Sequence, residues 1–216
     1  LHDALPILYA GESRESKLAR VAREMETMGA NYYVISGLDD IAWLLNIRAR
    51  DIKCNPLTIS YTVVSEKKYY LFIDDKKINS EVRAELEKAN VEIKPYENIG
   101  EFLGKIKDGA ILLDAARTST WIYSSINIKI LESMDITTRF KGIKNEIQIK
   151  NVRKAMVRDG VAMVKFITWM KKTIKSRNIT EIEASDKIEE IRSVGENFYD
   201  LSFASISAYK ANASMP

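Results

Sequence analysis

The chain alternates between two periods of apolar residues. Leu18, Val21, Ala22, Met25 and Met28 fall on one helical face, with Ser13 able to cap its start and Gly29 to end it. Tyr32–Ser36 reads as a short strand. Asp39 and Asp40 can open a second helix carrying Ile41, Trp43, Leu44 and Leu45, and Asn46 can stop it. From Leu57 to Val64 the period becomes two: Leu57, Ile59, Tyr61 and Val63 alternate with Thr58, Ser60 and Thr62. The short interval SEKK before Tyr69–Ile73 predicts an antiparallel hairpin.

The same alternation of elements continues. A helix is expected near Ser80–Lys88, a strand at Val91–Lys94, and a helix bearing Ile99, Phe102, Leu103 and Ile106 up to about Lys107. Ala110–Asp114 reads as a strand. Thr118 or Ser119 can cap a helix carrying Trp121, Ile122 and Ile126, and Ser133–Thr137 reads as a last strand. Helices interleaved with strands predict an α/β domain with a mixed sheet covered by helices, the hairpin supplying the antiparallel pair.

The pattern changes at Arg139-Phe140-Lys141-Gly142, the expected domain boundary. A much longer helix follows, about Asn145 to Ile174. Ile149, Val152, Met156, Met163, Ile167, Met170 and Ile174 mark one face for burial, which makes the methionines core side chains rather than a cofactor site. Thr180 and Glu183 form a capping-box pattern before Ala184, Ile188 and Ile191. Leu201–Ile206 reads as a strand.

Charge and composition then narrow the chemistry. The 33 basic and 30 acidic residues are interspersed, which predicts neither a nucleic-acid nor a membrane surface. Lys165, Lys171, Lys172, Lys175 and Arg177 make one helix end basic, but no aromatic platform interleaves with them, so they read as a solvated face. Cys54 is alone, which fits a reducing compartment. His2 is the only histidine, so Ser-His-Asp and Cys-His catalysis have no imidazole elsewhere in the chain. Asp74-Asp75 and Asp114, at strand ends, read as turn caps rather than cation ligands.

The run LDDIAWLLNIRARDIKCNPLTISY, Leu38–Tyr61, resembles the middle domain of the three-domain aminopeptidases P, the Xaa-Pro aminopeptidases. The resemblance extends from about Tyr9 to the end of the chain. Residues 1–8 stand outside it as an unmatched leader, residues 9–140 resemble the creatinase-like middle domain, and residues 141–216 resemble the start of the pita-bread peptidase domain. Lys144-Asn145-Glu146 and Asp200-Leu201-Ser202-Phe203 carry the last part.

The resemblance implies a parent that is a cytoplasmic, homodimeric metallopeptidase. Its substrates would be peptides with proline in second position, and its cofactors two divalent ions, Mn in the first instance. In the family, a His-Tyr pair and then the metal ligands follow the loop that here reads KANASMP. The expected ligands therefore lie beyond Pro216, and the chain alone is expected to be inactive, with its last third exposing apolar surface. Arg48, Arg50 and Asn55, in the polar turn of the matching run, are the candidate substrate-facing residues. The alternative for them is a structural role, bonding backbone carbonyls of the turn. Two further readings stand beside this one: a non-catalytic binding or scaffold protein, and a fragment of a sister hydrolase such as a prolidase.

Overall fold

The computed structural model describes residues 3–214. In chain order the elements are β1 (Asp3–Ala4), α1 (Ile7–Ala10), α2 (Arg14–Thr27), β2 (Tyr32–Ile35), α3 (Leu38–Leu45), β3 (Ile47–Arg48), β4 (Ser60–Ser65) and β5 (Tyr69–Ile73). Then come α4 (Ser80–Lys88), β6 (Val91–Lys94), α5 (Ile99–Lys105), β7 (Ala110–Leu113), α6 (Thr120–Ser124), β8 (Lys129–Glu132), α7 (Ile136–Gly142), α8 (Glu146–Thr173) and α9 (Glu181–Ser193). The chain divides into two compact units, residues 1–148 and 149–216, the division falling in the first turn of α8.

The first unit is built on a six-stranded mixed sheet of order β6-β5-β4-β2-β7-β8. β4 runs antiparallel to both β2 and β5, while β2, β7 and β8 are parallel to one another and β5 is parallel to β6. The central strands β2, β4, β5 and β7 are largely buried on both faces, and successive side chains go to opposite sides. Tyr33, Ile35, Val64, Leu71, Ile73 and Leu112 join the core formed with α2, α3 and α4. Val34, Val63, Phe72, Ile111 and Leu113 join a second core with Ile99, Leu103 and Ile122 of α5 and α6. Each such side chain, when fully buried, contributes about 1.5–3 kcal/mol of transfer free energy.

Local chemistry sets the element ends. Ser13 Oγ accepts from Ser16 N–H at 3.2 Å and starts α2, and Gly29 takes φ 78° just after it. Asn46 closes α3 in the left-handed region at φ 52°, as its short polar side chain permits. Ser119 Oγ accepts from Ile122 N–H at 3.4 Å and starts α6.

Several elements bear on the sequence expectation. Asp39 and Asp40 stand in the first turn of α3, as expected, but the N-cap is Gly37 and no side chain caps the start. The strand expected at Ser133–Thr137 is displaced. β8 lies at Lys129–Glu132, in register with Ala110–Leu113, and Ile136 already begins α7. The run Ile136-Thr137-Thr138 has strand-like branching, but Thr137 and Ile136 are buried under tertiary contacts that hold a helix. α7, which carries Arg139-Phe140-Lys141-Gly142, packs on α2 and α3 within the first unit. β1, in the segment read as a leader, pairs antiparallel with β3, matching Asp3 to Arg48 and Ala4 to Ile47. His2 lies outside the described residues.

In the second unit, α8 and α9 bury only Ala162, Ala184 and Ile188. Thr180 Oγ1 caps α9 by accepting from Glu183 N–H at 3.1 Å. Arg192 of α9 donates to both carboxylate oxygens of Asp159 on α8, at 2.7 and 3.3 Å. Leu201–Ile206, expected as a strand, forms no strand, since the described residues of this unit offer no ladder for it. Met156 is exposed and Met163 and Met170 are half-buried, so the three methionines are not core side chains here.

Candidate functional site

The turn between β3 and β4 carries the sequence-derived candidates. Arg48 is half-buried in β3, Arg50 is exposed, and Asn55 is exposed at the tip. Asn55 Nδ2 donates to Lys53 O at 3.2 Å, and Asn55 N–H to Ile52 O at 3.1 Å. Backbone bonds from Ala49 N–H to Pro56 O and from Asp51 N–H to Leu57 O, both 3.2 Å, zip the turn shut. Cys54 sits at φ 62° in this tip, half-buried and in no disulfide.

Asp51 is a hub of the turn. Its Oδ2 accepts from Ile59 N–H at 2.8 Å, Thr58 Oγ1 at 3.2 Å and Lys77 Nζ at 2.6 Å. Burial alone would raise its carboxyl, but the Lys77 and Ile59 hydrogen bonds outweigh that and hold it below the usual range. The signal was an Asp in a polar turn eight residues before the amide it binds, which immediately precedes β4.

At the other end of the β3 turn, buried Lys17 donates to Trp43 O and Asn46 Oδ1, each at 2.7 Å, and lies 4.6 Å from the Trp43 ring centroid. It satisfies a carbonyl at the end of α3. Asn46 Nδ2 donates in turn to Glu12 O at 3.0 Å. Desolvation pulls Lys17 down to about 8, against the opposing pull of Glu12. Its position on the apolar stripe of α2, four residues before Val21, was the legible sign.

A second polar cluster lies at the carboxyl ends of the parallel strands β2, β7 and β8. Arg117, in the loop after β7, donates through NH1 to Asp40 and Thr138 and through NH2 to Asp39, the last at 2.6 Å. Its guanidinium lies against Gly37, where a Cβ would stand 2.5 Å from NH2; any side chain there would displace it. Lys141 pairs with Asp39 and stands 3.1 Å from Asp40 Oδ1. Thr138 Oγ1 donates to Asp40 Oδ2 at 2.9 Å.

Tyr33, in the middle of β2, donates its hydroxyl to Asp135 Oδ1 at 2.8 Å and meets Thr137 Oγ1 at 3.0 Å. Asp135 is 2% exposed; its Oδ2 stands 3.8 Å from Arg117 NH1 and accepts no hydrogen bond. Burial pushes Asp135 up to about 6, opposed by the Tyr33 hydrogen bond and assisted by nearby Asp40 and Asp114. Burial also pushes the Tyr33 hydroxyl up, the charge of Asp135 adding to it. For Asp39, burial is outweighed by hydrogen bonds from Lys141 and Arg117, which hold its carboxyl low.

Asp114 and Asp74 behave as caps. Asp114 Oδ1 accepts from Ala116 N–H at 3.0 Å and Oδ2 from Asp135 N–H at 3.3 Å. Asp74 Oδ1 accepts from Lys76 N–H at 3.0 Å, while Asp75 pairs with Arg83. In the second unit an open cleft of about 1000 Å³ is lined by Met156, Val157, Arg158, Asp159, Phe198 and Phe203 among others. Among the described residues no group of three or more His, Cys, Asp or Glu side chains is placed to hold a metal ion. The carboxylates that do gather have the cations of Arg117 and Lys141 among them. No described helix is long and apolar enough to cross a membrane.

Residues 3–148, the whole strand-and-helix frame that carries both polar clusters, match the creatinase/prolidase N-terminal domain. The chain belongs to that family. Among curated relatives of this creatinase/prolidase chain, Xaa-Pro aminopeptidase 1 of Dictyostelium discoideum is 34% identical over 213 residues. That match takes in 96% of this chain and 34% of the relative. The probable Xaa-Pro aminopeptidase P of Talaromyces stipitatus is 33% identical over 223 residues, 97% of this chain and 34% of its own length. The X-prolyl aminopeptidase of Caenorhabditis elegans, described as a cytosolic enzyme with a di-nuclear active site, superposes with a TM-score of 0.91 at 30% identity. The superposition covers 95% of this chain and 35% of the nematode enzyme. The creatinase/prolidase chain thus spans about a third of the length of these relatives.

Proposed function

We propose that this chain is the substrate-framing segment of an Xaa-Pro aminopeptidase, with residues 9–140 as its middle domain and 141–216 as the beginning of its peptidase domain. One observation carries the reading: the likeness to Xaa-Pro aminopeptidases runs through both units, over 96% of the chain at 34% identity with the Dictyostelium enzyme. The whole enzyme acts on peptides with proline in second position, works in the cytoplasm and forms a homodimer. Proline removes the amide N–H and fixes φ of the residue after the scissile bond. Recognising it takes a shaped groove, and the β3–β4 turn with Arg48, Arg50 and Asn55 supplies part of that wall.

Two divalent ions, Mn in our reading, supply Lewis-acid chemistry in the whole enzyme. The described residues do not fit that role, so no chemical step is assigned to them. Their part is mechanical. Asp51 and Lys77 hold the turn at its β4 side, and Lys17 with Asn46 holds it at its α3 side.

The test uses two proteins: the 216-residue chain, and a longer protein in which the same stretch is followed by the region that follows it in the relatives. Each is incubated with Mn and a tripeptide having proline second. The longer protein is expected to release the amino-terminal residue, and to leave the peptide with alanine second intact; the chain alone is expected to stay at blank. Silence of the longer protein towards the proline peptide contradicts the proposal and favours a binding or scaffold role. Turnover by the chain alone contradicts its non-catalytic part.

A further inference from the structure

The cluster at the strand ends has one acidic group more deeply placed than its counter-charges can serve. Four carboxyl groups face it from three sides: Asp39 and Asp40 from α3, Asp114 from the end of β7, and Asp135 itself from the start of α7. Two cations answer them, Arg117 from the loop after β7 and Lys141 from α7. Tyr33 from β2 faces Asp135 as a donor, and Arg139 of α7 is engaged by Glu24 of α2 at 2.6 Å. Arg117 is committed to Asp39, Asp40 and Thr138 and reaches Asp135 Oδ2 only at 3.8 Å. That oxygen is buried and accepts no hydrogen bond.

We propose that Asp135 is the proton-binding element of a latch that fastens α7 to the carboxyl ends of β2 and β7. The latch is tight when Asp135 is protonated and strained when it is not. Protonation removes a buried charge that has no full partner and ends its repulsion with Asp40 and Asp114. The contacts that define α7's seat, Tyr33 to Asp135, Tyr33 to Thr137 and Asp114 to the Asp135 amide, all survive the protonation.

The direction follows from the raised affinity. Asp135 holds its proton up to about pH 6 in the folded chain, against a model-peptide value of 3.8. Between those values the folded chain binds more protons than the unfolded one, so stability falls as pH rises through the window. The latch is therefore strongest near pH 5 and weakened at pH 7. Most carboxylates in folded proteins contribute with the opposite sign.

The test is a carbon-13 titration of the Asp135 side-chain carboxyl in the 216-residue chain, paired with urea unfolding followed at Trp43 of α3. The expected midpoint is about 6. The unfolding equilibrium constant is expected to fall about tenfold from pH 7 to pH 5. Asp135→Asn is expected to abolish that fall. Tyr33→Phe, which removes a donor favouring the charged form, is expected to move the midpoint further up. Should Asp135→Asn fail to fold, the Tyr33→Phe shift still decides. A midpoint near 4, a tenfold change that persists in Asp135→Asn, or a Tyr33→Phe midpoint that stays put or falls overturns the latch.

Discussion

The two units use apolar residues in opposite ways. In the first, Tyr33, Val34, Ile35, Val63, Val64, Leu71, Phe72 and Ile73 of the central strands are all 0% exposed. In the second, Ile149, Val152, Met156, Val157, Val161, Val164 and Ile167 of α8 range from 40% to 69% exposed. The strand residues run consecutively because both sheet faces are covered, whereas the α8 residues recur at helical spacings. A period states which face a segment prefers, whereas burial needs a second layer to press against it. β2, β4 and β5 have helices on both faces; α8 and α9 bury between them only Ala162, Ala184 and Ile188.

The comparison can be broken first where the effect is largest. Phe72 is fully buried and meets Phe102 edge-on, with centroids 5.2 Å apart. Phe72→Ala is expected to cost about 3–5 kcal/mol in urea unfolding of the first unit. A loss below about 1 kcal/mol would mean that the sheet is not the stabilising core.

A middle-sized effect comes from Lys17. Its ammonium is held near 8 in the folded chain against 10.5 for the free side chain. Across that window the unfolded chain binds the extra proton, so stability rises with pH. The gain is expected to be about 1–2 kcal/mol after allowing for solvent screening, and to be absent in Lys17→Met. Paired unfolding curves at about pH 7.5 and about pH 9.5 check it, below the range where Tyr33 enters. Asp135 is expected to act in the other direction, so the combined contribution of these two groups is expected to be smallest near neutral pH.

The smallest effect is expected in the second unit. Met156 is 65% exposed. Met156→Ser is expected to change unfolding by no more than about 0.5 kcal/mol. A cost like that of Phe72→Ala would show that the α8 face is covered in solution.

Much of the first unit was readable in the residues. The SEKK interval gave the β4–β5 hairpin, and Ser13, Gly29 and Asn46 marked helix ends by their own side-chain or backbone chemistry. The misplaced strand at Ser133–Thr137 shows where local reading stops. Branched residues there looked extended, while the register of β8 on β7 was fixed by a neighbour distant in sequence.

The polar clusters were harder still. Arg117 meets Asp40 across 77 positions, and Tyr33 meets Asp135 across 102. No local spacing encodes such a meeting. Arg48, Arg50 and Asn55 were conspicuous as a polar turn, whereas Asp51, which binds the Ile59 amide and Lys77, was not singled out.

The contrast between the units can be measured directly by hydrogen exchange along the whole chain at one pH. The account predicts that amides of β2, β4, β5 and β7 exchange only by global opening, at least about a thousandfold more slowly than those of α8 beyond Ile149 and of α9. Equal protection of the two units would contradict it, because the second would then own a core as complete as the first.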